Sequence, residues 1–124
     1  MESKSKTKFT KGEELCAAIL NRLPIVKDET QLQQKLAEWF RSRGISFERE
    51  RRLSARDRPD FMVGRIAVEL KIKGSTASVI RQLSRYAESE EVDELVLVTT
   101  MAQHRRMPPT INDKPVAVLW ISPF

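Results

Sequence analysis

The first strong periodicity in the chain lies between Gly12 and Leu23, where Leu15, Cys16, Ile19, Leu20 and Leu23 recur at helical spacing. It predicts an amphipathic helix that Pro24 ends. A second helix is predicted from Asp28, an N-cap residue with Gln31 three positions on as capping-box partner, to Gly44, a good C-terminal residue. Its apolar stripe is Leu32, Leu36, Trp39 and Phe40. Residues 45–53 (ISFERERRL) suit a strand rich in arginine, and SARDR after it reads as a loop. Residues 59–63 and 66–72 predict a hairpin around Gly64-Arg65, and residues 75–88 a third helix with Val79, Leu83 and Tyr86 on one side. A buried strand over 94–100, a loop or short helix over 101–115 and a last strand over 116–121 complete the pattern. The order is α, α, β, β, β, α, β, loop, β, which predicts one mixed α/β domain over 11–124, its central sheet flanked by helices. Residues 1–10 are polar, with lysines at 4, 6 and 8, and predict a flexible basic head.

The hairpin raises the chemical question. A two-residue turn with glycine first suits type II′, which sets Val63 opposite Ile66, Asp60 opposite Glu69 and Arg58 opposite Lys71. Strand alternation then puts Phe61, Val63, Ile66, Val68, Leu70 and Ile72 on one face, all apolar and directed to the core. Asp60, Met62, Ala67, Glu69 and Lys71 share the other face. Directly opposed side chains have Cβ atoms about 4.5–5.5 Å apart, where like charges destabilise a sheet. A cation between the two carboxylates removes that penalty, and a few carboxylate oxygens with waters make an ordinary Mg²⁺ site. Lys71 lies where an ammonium can steady a phosphate or orient a water. The same pattern also fits a solvated polar face, with Lys71 and Arg58 neutralising the acids. Glu29 falls on the core-facing stripe of the second helix at its N-terminal end, within reach of a site at the core's edge. A first-turn glutamate also complements the helix dipole.

Composition narrows the partners. The 124 residues carry a formal net charge of +5, and a small basic domain is drawn to polyanions, nucleic acid first. Arg49, Arg51, Arg52, Arg56 and Arg58 lead straight into Asp60, with Lys73, Arg81, Arg85, Arg105 and Arg106 further on. These form a candidate DNA track, because arginine forks match phosphate geometry; Glu48 and Glu50 beside them equally allow local ion pairs. The one cysteine, Cys16, sits on an apolar stripe and reads as core filler. It excludes an intramolecular disulfide and a multi-cysteine zinc cluster, and fits a reducing, cytoplasmic setting. No run has the length of a signal peptide or a membrane span, and no glycine-rich phosphate loop or other organic-cofactor motif is present. His104, the one histidine, reads as a surface loop residue near phosphate.

Pro59-Asp60 followed by Glu69-x-Lys71 resembles the PD-(D/E)xK nuclease signature. Glu29, in ETQLQQKLAEWFRSRG, is similar to the acidic residue on that superfamily's first core helix, in a context that resembles the VRR-NUC branch. Arg58-Pro59-Asp60 matches the GRPD-like strand of that branch, with Asp57 in place of its glycine. Gln82 and Tyr86 resemble the Gln-x-x-x-Tyr element of RecB-like nucleases, and archaeal Holliday-junction resolvases are similar in size and element order. The resemblance covers about residues 28–100. It implies a restriction-endonuclease-like fold, with an αβββαβ core, an extra N-terminal helix and a C-terminal strand. It implies a Mg²⁺-dependent DNA endonuclease, Mn²⁺ substituting. Asp60, Glu69, the backbone carbonyl of Leu70 and Glu29 would hold the ion, Lys71 would position or deprotonate the attacking water, and Gln82 and Tyr86 would orient Lys71 or the substrate strand. A chain this short favours selection of branched DNA over site-specific reading, hence a resolvase-like homodimer joined through 116–121 and Met107-Pro108-Pro109. The other expectation is a nucleic-acid-binding module, or a subunit of a larger recombination or defence complex, with partner-dependent or no catalysis.

Overall fold

The computed structural model describes residues 9–20, 22–23 and 28–121. Most of the expected basic head and the expected helix break at Pro24 lie outside these residues. Among the described residues three α-helices, one 3-10 helix and six strands follow in the order α1 (Gly12–Ile19), α2 (Glu29–Ser42), β1 (Glu48–Arg49), β2 (Phe61–Val63), β3 (Ile66–Lys71), α3 (Thr76–Ala87), β4 (Glu94–Thr99), the 3-10 helix (Ala102–Arg106), β5 (Thr110–Ile111) and β6 (Lys114–Trp120). The mixed sheet runs β1-β2-β3-β4-β6-β5. Among the described residues no helix is long and apolar enough to cross a membrane.

Both long helices start where the sequence places them. Asp28 Oδ1 accepts the Gln31 N–H at 2.7 Å and caps α2. Ser75 Oγ accepts the Ser78 N–H at 3.1 Å and caps α3. Gly44, at φ +68°, takes the left-handed conformation just beyond the end of α2. Helix α1 stops at Ile19, earlier than the apolar spacing predicts, and leaves Leu20 50% exposed. Gly12 begins α1 against the sheet, and a Cβ there would lie 2.9 Å from Val96 Cγ2. The close approach lets the Gly12 N–H reach Glu94 Oε1 at 2.7 Å.

The hairpin has the expected register: Phe61 pairs with Val68, Met62 with Ala67 and Val63 with Ile66. Gly64 has φ +60° and Arg65 is not among the positive-φ residues, the pattern of a type II′ turn. From β3, helix α3 crosses over to β4, which pairs parallel to β3; β6 in turn lies parallel to β4. The two sides of the sheet bury separate clusters. One joins Leu15, Ile19, Leu32, Leu36 and Phe40 of α1 and α2 to Phe61, Val68, Leu70 and Val98. The other joins Val79, Leu83 and Tyr86 of α3 to Met62, Ala67, Leu95 and Leu97. Cys16 belongs to the first cluster; burial, then the nearby Glu13 charge, pushes its thiol up to about 12, so it is packing rather than nucleophile.

Two stretches depart from the periodicity. The strand expected over 45–53 shrinks to Glu48–Arg49; Glu50 still donates its N–H to Asp60 O at 3.2 Å, but its φ of +53° turns the chain away beyond that bond. The chain beyond folds on itself, the Leu53 N–H reaching Asp57 O at 2.8 Å. The loop or short helix expected over 101–115 is a 3-10 helix, followed by a short strand, β5, that the periodicity does not show. Asn112 and Asp113, at φ +49° and +64°, turn β5 into β6 as a type I′ hairpin.

Candidate active site

Asp60 lies one residue before β2, its backbone carbonyl accepting the Glu50 N–H at 3.2 Å. Its Oδ2 accepts the Leu70 N–H at 2.8 Å, in the place where a backbone carbonyl would continue the hairpin. A strand residue's N–H and C=O point to the same side, so the Leu70 carbonyl also faces Asp60. Asp60 Oδ1 accepts Gln33 Nε2 at 2.9 Å, and Gln33 Oε1 accepts Arg49 at 3.2 Å. The Arg49 guanidinium rests over the Phe61 ring, 5.6 Å from its centroid.

Glu69, on β3, is 3% exposed. Its Oε1 accepts the Tyr86 hydroxyl at 2.9 Å and the Asp60 N–H at 3.4 Å. Its Oε2 lies 3.3 Å from Lys71 Nζ. Gln82 Nε2 donates to the Tyr86 oxygen at 2.8 Å. Burial, then the charge of Asp60, pushes the Glu69 carboxyl up to about 7 against the opposing pull of Lys71. Burial also raises Asp60 above its ordinary value; the Leu70 N–H pulls it down and the Glu29 charge adds to the rise. Burial and the Glu69 charge raise Tyr86, which keeps its phenol a proton donor.

The structure therefore brings together Asp60, Glu69, Lys71, Tyr86 and Gln82. Tyr86 is at once core and site, fully buried beside Val79 and Leu83 with its hydroxyl on Glu69. Gln82 and Tyr86 orient Glu69, where the expected targets were Lys71 or the substrate strand. Glu29 acts on Asp60 through its charge. Among the described residues no group of three or more His, Cys, Asp or Glu is placed to hold a metal ion, so Glu29 is not gathered with Asp60 and Glu69 into a three-acid cluster. The oxygens of Asp60 and Glu69 and the Leu70 carbonyl are hard donors of the kind Mg²⁺ takes, and their number suits an ion that keeps several waters.

The candidate track divides. Arg51 pairs with Glu48 at 3.0 Å and with Glu91, and Arg58 pairs with Glu50 at 3.7 Å. Arg85 pairs with Asp57 at 2.8 Å, which ties the 51–58 loop to α3 and holds the Asp57 carboxyl low. Arg52 donates to Ala55 O at 3.0 Å. Arg56, Lys73, Arg81 and Arg106 are exposed and make no ion pair among the described residues. Arg105 lies over the Trp120 ring, 4.6 Å from its centroid.

His104 corrects the expectation of a surface residue. It is fully buried, with Nδ1 2.9 Å from Thr99 Oγ1 and Nε2 3.2 Å from Gly74 O. Gly74 O can only accept, so Nε2 carries the proton and Nδ1 accepts from Thr99. Polar neighbours hide this in the sequence; the 3-10 turn directs His104 alone inward while Gln103, Arg105 and Arg106 stay exposed. Gln33 also escapes sequence reading, although it lies one turn after Glu29 on the same helix face. Compared with family models, with curated proteins and with solved structures, the chain has no significant match.

Proposed function

We propose that this protein is a divalent-cation-dependent nuclease of the PD-(D/E)xK type, with a restriction-endonuclease-like core, acting on DNA. The observation that carries the reading is the Asp60–Glu69 pair. Glu69 is buried and Asp60 half-buried beside it; the two acids repel, and both have raised affinity for protons. That arrangement opposes folding at neutral pH unless a cation compensates it.

Asp60, Glu69 and the Leu70 carbonyl would hold Mg²⁺, with Mn²⁺ substituting and Glu29 acting at longer range. The ion, when bound, supplies a more acidic water and polarises a phosphate oxygen. Tyr86 and the Asp60 N–H fix Glu69 Oε1, so the carboxylate presents a set orientation. Lys71 reaches Glu69 Oε2 from the site's open edge, where its ammonium can meet a phosphate oxygen or orient a water. Arg56, Lys73, Arg81 and Arg106 are exposed and make no ion pair among the described residues, although Arg56 acts on Asp57 through its charge, and are the residues freest to meet backbone phosphates. Resolution of branched DNA requires paired cuts, hence a homodimer; β5 pairs with Lys114 and Pro115 of β6 and Pro109 O takes the Val116 N–H, so among the described residues the β6 edge beyond Val116 has no strand partner on that side and would make such a contact.

A second reading has its own support. All four carboxylate oxygens of Asp60 and Glu69 already have a protein partner, from Gln33, Leu70, Tyr86 and Lys71. A nucleic-acid-binding module without catalysis, alone or within a larger complex, needs no ion there. Labelled linear, single-stranded, flap and four-way-junction DNA separates the two. The nuclease reading expects cleavage in Mg²⁺ that EDTA, Asp60→Ala and Lys71→Ala each abolish. Paired symmetric nicks confined to the junction would establish resolution. Binding without cleavage, unchanged in Asp60→Ala, would establish the module.

A further inference from the structure

Lys71, Thr99 and Trp120 form one row across three adjacent strands, Lys71 in register with Thr99 and Thr99 with Trp120. Residues two and four positions earlier on these strands, among them Ala67, Leu95, Leu97, Val116 and Val118, pack into the α3-side cluster. Alternation therefore puts Lys71, Thr99 and Trp120 on that same side. Neighbouring strands are about 4.8 Å apart, so Trp120 stands about 10 Å from Lys71 along the edge where the parallel strands end.

The Trp120 ring is held there. Its Nε1–H donates to Thr100 O at 3.3 Å, and the Arg105 guanidinium covers it at 4.6 Å. Arg105 is itself carried by a fixed element, because buried His104 binds the 3-10 helix to Thr99 and to Gly74 of the β3–α3 loop. Ala102, Gln103, Arg105 and Arg106 line an open groove of about 610 Å³ beside it. Arg105 makes no ion pair with an acid among the described residues, and nor does Arg106.

Resting on the nuclease reading, we propose that Arg105 and Trp120 form a stacking subsite for an unpaired nucleobase, with Arg106 on an adjoining phosphate. A planar guanidinium backed by an indole presents its outer face to an aromatic ring, and any base supplies one. A base inside a duplex is stacked on both sides already, so the subsite admits nucleotides that have left the stack. It would thus select DNA with a single-stranded segment next to the bond to be cut.

The chain has two tryptophans, so Trp39→Phe leaves Trp120 as the reporter. In EDTA, oligo-dT should quench its fluorescence and blunt duplex should not. Arg105→Lys keeps the charge and loses the planar stack, and should weaken oligo-dT binding on the order of tenfold while duplex binding holds. Trp120→Ala, which removes the reporter and is read by anisotropy of labelled oligo-dT, should do the same, with unfolding curves checking that it folds. Equal quenching by duplex, or an Arg105→Lys protein that binds oligo-dT like wild type, would overturn the subsite and leave a plain phosphate contact. Cleavage plays no part in this titration, so failure of the nuclease reading shows separately, as retained stacking in a protein that never cuts.

Discussion

The Tyr86 hydroxyl donates to Glu69 Oε1 at 2.9 Å and itself accepts from Gln82 at 2.8 Å, a chain that fixes one oxygen of a buried acid from the opposing helix. Tyr86→Phe removes the donor and keeps the packing. A hydrogen bond to a charged group contributes about 1.5–3 kcal/mol. The variant should lose about that much stability above pH 7, less near pH 5 where Glu69 is protonated, and its pH–rate profile should move upward. Urea unfolding at the two pH values and the profile check both parts.

The pH dependence of the metal-free protein has a set sign. The Glu69 carboxyl is raised from 4.5 to about 7 in the folded protein. Between those values the folded state binds a proton that the unfolded state does not, so stability falls as pH rises through the window. Glu69→Gln should flatten this slope. Added Mg²⁺ should restore stability to wild type at pH 8 and leave Glu69→Gln unchanged, as thermal unfolding would show.

Gln33 bridges Arg49 and Asp60. Gln33→Ala frees Asp60 Oδ1 while the Leu70 N–H keeps Oδ2. We expect near-normal unfolding and a Mg²⁺ requirement for cleavage raised about tenfold, equivalent to one charge-assisted hydrogen bond. A Mg²⁺ titration of the cleavage rate measures it.

His104→Ala empties a buried position and leaves Thr99 Oγ1 with only the Met101 N–H, while Gly74 O, in an exposed residue, can turn to water. It should cost about 2–4 kcal/mol, whereas Arg106→Ala, on the exposed side of the same turn, should leave stability unchanged. Urea unfolding of the two variants compares them.

What the sequence shows of this protein depends on how local each interaction is. The hairpin register was legible because Gly64 fixes the turn and alternation sorts Phe61, Val63 and Leu70 from Asp60, Glu69 and Lys71. The cap at Asp28 is likewise written within four residues. Glu50's left-handed backbone has no such marker, so the strand predicted over 45–53 ran too long. The Asn112-Asp113 pair did carry a type I′ turn signal, but β5 is too short to show alternation. Gln33 with Asp60, Arg85 with Asp57 and His104 with Gly74 are joined across 27 to 30 residues, and only the folded chain reveals them.

Nuclease chemistry at this site requires that Asp60 and Glu69 share a divalent cation. Calorimetric titration of Mn²⁺ into the protein near pH 8, with Asp60→Asn and Glu69→Gln alongside, tests it most directly. Wild type should bind the ion and either substitution should abolish binding, with both variants still folded. Wild-type protein that takes up no ion, or variants that bind it equally well, would contradict it.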